Sequence, residues 1–157
     1  MCYSIIFEEE PYSVNRKGGK EKELYQKKLK DIMQQKYPLP PGKKTHYIYS
    51  DKLYILMAYF HKNRLNRDID NILKYAIDSF SKFLYRDDKQ IRYCVSQAIE
   101  CKDNNLDTID ISNLDDDCVL RLKKFIEDDK FDATITYFEC GLMSEKFYKF
   151  NLEKIWK

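Results

Sequence analysis

The sequence predicts a single mixed α/β (α+β) domain of two layers, and three observations lead to this prediction. Short stretches rich in β-branched and aromatic residues alternate with longer ones whose apolar residues recur every three or four positions, as strands and helices do. The 157 residues show no compositional break that would divide them into two domains. Hydrophobic residues make up 43% and charged residues 34% of the chain, which is typical of a globular protein rather than a disordered one.

The first half of the chain predicts strand, helix and strand in that order. Residues 3–8 are β-branched and aromatic and predict a strand that Pro11 ends. Residues 21–36 carry an apolar stripe among many lysines and predict a helix. Residues 46–60 predict either one long strand or a short hairpin that turns at Ser50–Asp51. The second half of this stretch is nearly all apolar, which indicates a central strand covered on both faces.

Residues 66–91 form the most distinctive stretch, in which two acidic pairs bracket one amphipathic segment. The apolar positions recur at three- and four-residue spacing and predict a helix from Asp70, as its N-cap, to Leu84. Those positions are Ile69, Ile72, Leu73, Ala76, Ile77, Phe80 and Leu84. At 1.5 Å per residue this helix would be about 22 Å long.

The second half predicts two further strands and two helices outside the core. Residues 90–101 alternate and predict a strand, and residues 133–139 predict the last strand, which completes a β-α-β-α-β-β core. An acidic insertion over about 103–130 contains a predicted helix at 115–127. Residues 143–157 predict a C-terminal helix with an apolar face.

The acidic pairs Asp68/Asp70 and Asp87/Asp88 are the candidate chemical groups. Two carboxylates two residues apart in extended chain can point the same way, and converging carboxylates are costly unless a cation such as Mg²⁺ neutralises them. Such an ion can activate water and stabilise the leaving oxygen when a phosphodiester is cut, and Lys74 could steady the developing phosphate charge. The alternative is an ordinary solvated helix face, because Asp70, Lys74, Asp78 and Lys82 alternate in charge at four-residue spacing.

This stretch resembles the central signature of the RusA family of Holliday junction resolvases, the crossover junction endodeoxyribonucleases. The matching residues are Arg67-Asp68-Ile69-Asp70-Asn71, Lys74, Asp78 and Asp87-Asp88-Lys89-Gln90-Ile91. The resemblance implies that Asp68, Asp70 and Asp88 bind Mg²⁺, with Mn²⁺ as a possible substitute, and that Lys74 is the catalytic lysine. The spacing to the second acidic pair is one residue shorter than in the family, so Asp87 remains an alternative to Asp88.

The resemblance also implies that the protein binds and cuts four-way or branched DNA as a homodimer. A helix of about 22 Å would hold Asp70 and Asp88 near opposite ends, and an antiparallel helix pair across a two-fold axis would set each helix start beside the partner's end. Six cations beside or before the acidic stretch are candidate phosphate contacts, with solvated surface charge as the alternative. They are Arg16, Lys17, Lys20, Lys62, Arg64 and Arg67.

Composition excludes some other classes. The net charge is only +2, so any nucleic-acid binding must come from local basic patches. No apolar run is long enough to span a bilayer, and the first residues lack a signal-peptide pattern, so we expect no membrane association. Five cysteines without a Cys-x-x-Cys motif indicate reduced thiols in a cytosolic setting. Scarce Gly with abundant Tyr, Lys, Ile and Asp suits an AT-rich coding genome such as that of a virus, so we expect the cytoplasm of a bacterium or a virus-infected host cell.

Three other functions are compatible with the same scaffold. A non-catalytic branched-DNA-binding architectural protein would lack one of the acidic ligands, and none is missing here. A nucleotidyl-transfer enzyme with an Asp-x-Asp motif usually carries those carboxylates on a hydrophobic strand, whereas Asn66, Arg67 and Asn71 flank them here. A partner-binding module acting through the insertion and C-terminal helix would bind without depending on metal.

Overall fold

The structure, a computed structural model, describes residues 2–8, 19–46, 48, 52–63, 68–101, 114–128 and 134–143. Several sequence predictions lie outside these residues: the cations Arg16, Lys17, Arg64 and Arg67, the turn at Ser50–Asp51, and nearly all of the C-terminal helix. None of the helices in the described ranges is both long and apolar enough to cross a bilayer.

Four strands and three helices make up the described fold, which confirms the predicted mixed α/β class. In chain order they are β1 (Cys2–Phe7), α1 (Gly19–Lys36), β2 (Leu53–His61), α2 (Ile69–Phe80), β3 (Ile91–Glu100), α3 (Asp116–Glu127) and β4 (Ile135–Leu142). The order β-α-β-α-β followed by a last strand is the predicted core, and α3 is the predicted inserted helix.

The strands form one mixed sheet in the order β1-β4-β2-β3. β2 pairs with β3 in parallel, and β4 lies antiparallel to both β1 and β2. β2 is central and almost entirely buried, as its apolar run predicts. A single strand over 46–60 is wrong, because the N–H groups of His46 and Ile48 bond to the carbonyls of Phe83 and Leu84 and β2 begins only at Leu53.

Helices α1 and α2 pack on one face of the sheet and enclose the larger core. Leu29 and Met33 of α1 and Ile72, Ala76 and Phe80 of α2 are buried there against the strands. The first turn of α1 contacts the middle of α2, because the hydroxyl of Tyr75 donates to the carbonyl of Lys22. The buried stripe of α2 leaves its opposite face free to carry charge.

Helix α3 covers part of the other face, so the insertion adds a third layer to the predicted two. Cys118, Leu122 and Phe125 of α3 pack against sheet residues including Ile6 and Phe60. Asp115 is the N-cap of α3, and its carboxylate accepts a hydrogen bond from the Cys118 N–H at 3.0 Å.

Both ends of α2 differ from the sequence prediction. The N-cap is Asp68 rather than Asp70, because Ile69 is already helical. The helix ends at Phe80 rather than Leu84, since Lys82 adopts a left-handed φ of 63° and turns the chain. Leu84 is nevertheless fully buried, so its apolar spacing reflects burial of a turn rather than a continuing helix.

β4 continues through Gly141 to Leu142, beyond the predicted 133–139. A Cβ at Gly141 would lie 2.8 Å from the Tyr54 ring of β2, so the glycine permits close packing rather than ending the strand. All five cysteines are free thiols, in keeping with the predicted reduced state.

Candidate active site

An open groove runs along the outer side of α2 toward the start of β3. Its volume is about 370 Å³. Seven residues line this acidic groove: Asp70, Leu73, Lys74, Ile77, Asp78, Asp88 and Ile91. Apolar side chains form part of its wall, and three carboxylates and one ammonium provide its polar groups.

Three of the four charged groups come from consecutive turns of α2. Asp70, Lys74 and Asp78 are four residues apart, so they lie on one face at intervals of about 6 Å along the axis. Asp70 and Lys74 are exposed and Asp78 is half-buried. Within the described part of the chain no side chain of the three makes a hydrogen bond or an ion pair, so their charges are available to a ligand.

Asp88 enters the groove from a short 3₁₀ turn over Asp88–Gln90 that leads into β3. Its neighbour Asp87 is the N-cap of that turn, and its carboxylate accepts from the Lys89 N–H at 2.9 Å. This hydrogen bond, followed by contact with the Asp88 carboxyl, lowers the pKa of Asp87. The two acids therefore differ in role: Asp87 holds the turn and Asp88 faces the groove, which favours Asp88 over Asp87 as the candidate ligand.

Asp88 lies toward the C-terminal end of α2, near Asp78. The buried hydroxyl of Tyr85 donates to the Ile77 carbonyl. Its pKa is raised chiefly by burial and then by nearby groups that include Asp78 and Asp88. Asp70 belongs to the first turn of α2, so it lies about 12 Å along the helix from Asp78. The expectation that Asp70 and Asp88 lie toward opposite ends of the helix agrees with this arrangement.

Asp68 is placed differently from Asp70. It is exposed and extended at the N-cap, where its carboxylate makes no capping bond to a helix amide and accepts from the Asn71 side chain at 3.3 Å. Because the helix starts at Ile69, Asp68 and Asp70 no longer alternate as they would in extended chain. Asp68 is not among the residues that line the acidic groove.

The donor chemistry of the groove suits Mg²⁺, although the described residues form no preformed cage. Among the described residues, no three His, Cys, Asp or Glu side chains converge closely enough to hold a metal ion. Mg²⁺ is usually held by one or two carboxylates together with waters and substrate phosphates, so separate carboxylates along a groove are compatible with it. Asp70, Asp78 and Asp88 supply such oxygens.

Two of the six candidate DNA-binding cations lie within the described residues. Lys20 is exposed in the first turn of α1, which packs against α2. The ammonium of Lys62 instead donates to the carbonyl of Asp128 at 2.6 Å and lies 5.1 Å from the centre of the Phe125 ring. The structure thus gives Lys62 a role at the end of α3, where it satisfies a carbonyl group of that helix terminus.

Two residues of the site were not assigned by sequence reasoning. Asp78 lines the acidic groove, and its place in the family signature, four residues after Lys74, was the available signal. Gln90 does not line the groove but fixes the turn that carries Asp88. The spacing of Asp87 and Gln90 is that of a capping box and was the available local signal, whereas the third partner of Gln90, Ile48, is 42 residues away.

An α/β domain whose groove combines carboxylates with a lysine has the side chains of a phosphodiester-cleaving nuclease. Comparison with protein families supports this class, because residues 12–112 match the family model described as Endodeoxyribonuclease RusA. The match covers well over half of the 157 residues, so the chain belongs to the RusA family of endodeoxyribonucleases. A comparison with curated proteins found no significant match.

Proposed function

We propose that this protein is a Mg²⁺-dependent, structure-specific endonuclease that resolves Holliday junctions and related branched DNA by paired nicking, in recombination, repair or replication. The observation that carries the proposal is the acidic groove, because Asp70, Lys74 and Asp88, three of the four residues to which the family resemblance gives catalytic or metal-binding roles, line one surface. The five free thiols favour a reducing compartment, such as the cytoplasm of a bacterium or a virus-infected host cell.

We assign the roles by position. Asp70 and Asp88, from opposite ends of the groove, would each supply a ligand oxygen to Mg²⁺, or to Mn²⁺ in its place, in a site that a second copy of the chain completes, and Asp68 would contribute from the helix start. The bound ion would supply an activated water and stabilise charge on the leaving oxygen. Lys74 lies one turn beyond Asp70 with no partner in the described chain, so it can donate to a phosphate oxygen as negative charge develops there.

The basic residues would hold the DNA backbone around the groove. Lys20 is exposed in the first turn of α1, and Arg16, Lys17, Arg64 and Arg67 are proposed as further phosphate contacts. Lys62 would join them only by leaving its carbonyl partners at the end of α3. With a net charge of +2, binding would depend on this local patch and weaken as salt rises.

A homodimer would complete the site and produce the paired nicks. In one chain Asp70 and Asp88 lie toward opposite ends of α2, so an antiparallel partner would bring the start of one helix beside the end of the other. Two symmetric sites could then cut two strands of a two-fold-related junction. A protein that is monomeric at the assay concentration and still cleaves junctions would refute this part of the proposal.

The test compares a labelled four-way junction with a matched linear duplex, with and without Mg²⁺, for wild type and Asp70→Asn. Wild type should nick the junction in symmetric pairs only with metal. Asp70→Asn should cleave roughly 1,000-fold more slowly, since a metal ligand contributes several kcal/mol to the transition state. Junction binding should persist or improve, because repulsion between the carboxylate and the phosphate is removed.

The matched control is Asp31→Asn, the same change at an exposed position of α1. It should cleave like wild type, and all three proteins should unfold at similar temperatures. Tight junction binding by wild type without cleavage in Mg²⁺ or Mn²⁺ would instead indicate an architectural branched-DNA-binding protein. Equal cleavage of junction and linear duplex would refute the substrate class.

A further inference from the structure

Gln90 ties the turn that carries Asp88 to a distant part of the chain. Its side-chain oxygen Oε1 accepts from the backbone N–H groups of Arg86 at 2.8 Å and Asp87 at 3.1 Å. Its side-chain nitrogen Nε2 donates to the carbonyl of Ile48 at 3.0 Å. One side-chain amide thus satisfies two N–H donors, at residues 86 and 87, and one carbonyl acceptor at residue 48, in a distant part of the sequence.

The segment that Gln90 reaches is itself fixed to the same turn. Ile48 is buried and its N–H donates to the Leu84 carbonyl at 2.7 Å. The His46 N–H donates to the Phe83 carbonyl at 2.9 Å. Residues 83–90 are therefore braced against residues 46–48 by three hydrogen bonds, and Gln90 provides the one nearest to Asp88.

Asp88 has little else to fix its position. Its side chain is exposed and faces an open groove, and it contacts the carboxyl of Asp87, which is itself held as the cap of the turn. The backbone of residues 86–90 therefore decides where the Asp88 carboxylate points. Hydrogen bonds around a ligand that orient it in this way commonly change metal affinity or activity by about 10- to 100-fold when they are removed.

We propose that Gln90 is a positioning residue that sets the Asp88 carboxylate in the acidic groove and so tunes the affinity of the site for Mg²⁺. This inference rests on the proposed metal-dependent nuclease function. Only a primary amide of this length satisfies the site, since it must accept at Oε1 and donate at Nε2. Glutamate at this position keeps an oxygen that accepts from the Arg86 and Asp87 N–H groups but loses the N–H donor to the Ile48 carbonyl. Methionine keeps the size of the side chain but loses both the acceptor and the donor.

The test uses full-length Gln90→Met and Gln90→Glu, with Gln97→Glu, at an exposed position of β3, as the control for an added charge. Two quantities are measured: Mn²⁺ binding by calorimetry, and the Mg²⁺ concentration for half-maximal junction cleavage. Gln90→Met should weaken Mn²⁺ binding and raise the Mg²⁺ requirement by roughly 10-fold or more. Gln90→Glu should show a smaller change in the same direction, while metal-free junction binding stays at the wild-type level.

Each result separates this inference from the proposed function. A lower unfolding temperature with unchanged metal affinity and unchanged Mg²⁺ requirement would show that Gln90 is merely structural and would overturn the inference alone. Wild type that neither binds Mn²⁺ nor cleaves would overturn the proposed function and this inference with it. If Gln90→Met does not fold, the Mn²⁺ affinity and Mg²⁺ requirement of Gln90→Glu test the inference instead, because glutamate keeps the acceptor oxygen for the Arg86 and Asp87 amides.

Discussion

The starts of helices α2 and α3 each carry an N-cap aspartate, and the two are used in opposite ways. Asp115 at α3 accepts from the Cys118 N–H, from the Ser4 hydroxyl at 2.9 Å and from the Lys36 ammonium at 2.6 Å. Asp68 at α2 makes no capping bond, and its described partner is one side-chain amide. The same residue type at the same helix position is thus satisfied in one place and available in the other.

The lysines of the two regions differ in the same way. Lys36 pairs with Asp115 and joins α1, α3 and β1 through a partly buried cluster. Lys74 lies between Asp70 and Asp78 in the acidic groove and pairs with neither. A charge that is hydrogen-bonded within the protein contributes to stability, whereas one left without partners beside an open groove is free to meet substrate. We therefore predict that the hydrogen-bonded charges are structural and that the groove charges without partners are functional, and mutation can test this prediction.

The largest expected contrast is between the two lysines. Lys74→Met should lower junction cleavage by roughly 100-fold, because it removes a donor to the charge that develops on the phosphate. Lys36→Met should lower the unfolding temperature and leave cleavage unchanged well below that temperature. Single-turnover cleavage and thermal unfolding of both variants check this. Normal cleavage by Lys74→Met would remove the lysine from the mechanism, and equal losses in both variants would remove the contrast.

The next contrast is between the two N-cap aspartates, and it concerns how much each contributes to the free energy of unfolding. Asp115→Ala should lower the free energy of unfolding by about 2 kcal/mol, since it loses the cap and leaves the Ser4 and Lys36 groups without their acceptor. Asp68→Ala should change it by less than about 0.5 kcal/mol, because no cap bond is lost. Urea unfolding of both variants at neutral pH measures these values. A loss at Asp68 as large as that at Asp115 would mean that Asp68 has a structural role after all.

Much of the fold follows from short-range patterns. The β-branched and aromatic residues of β1, the alternation of β3, the apolar run of β2 and the apolar stripe of α2 are all local patterns, so the types of these four elements were predicted correctly. The residues at which helices and strands end depend on contacts that the spacing of apolar residues does not encode. α2 stops at Phe80 because Lys82 turns the chain, yet Leu84 stays buried and continues the apolar spacing.

The candidate site was predictable to the extent that it follows helix spacing and the family signature. Asp70 and Lys74 share a face because they are four residues apart, and Asp88 was named through the signature. The choice between Asp87 and Asp88 required the 3₁₀ turn, whose cap engages Asp87. The contribution of Gln90 required the position of Ile48, a long-range contact that no local pattern contains.

The smallest contrast is the response of the satisfied carboxylate to acid. Burial alone would raise the pKa of Asp115, but hydrogen bonds from Lys36, the Cys118 N–H and Ser4 outweigh it and lower the pKa to about 2. A pKa that is lower in the folded state gives stability that is present above the ordinary value of about 4 and is lost as the pH falls toward 2.

The loss should be below about 1 kcal/mol, because Asp115 is 38% exposed and solvent screens its charge. The difference in urea midpoint between wild type and Asp115→Ala should therefore narrow between pH 6 and pH 2.5. A constant difference for Asp115→Ala would mean that the cap hydrogen bond, rather than the charge, provides its stabilisation.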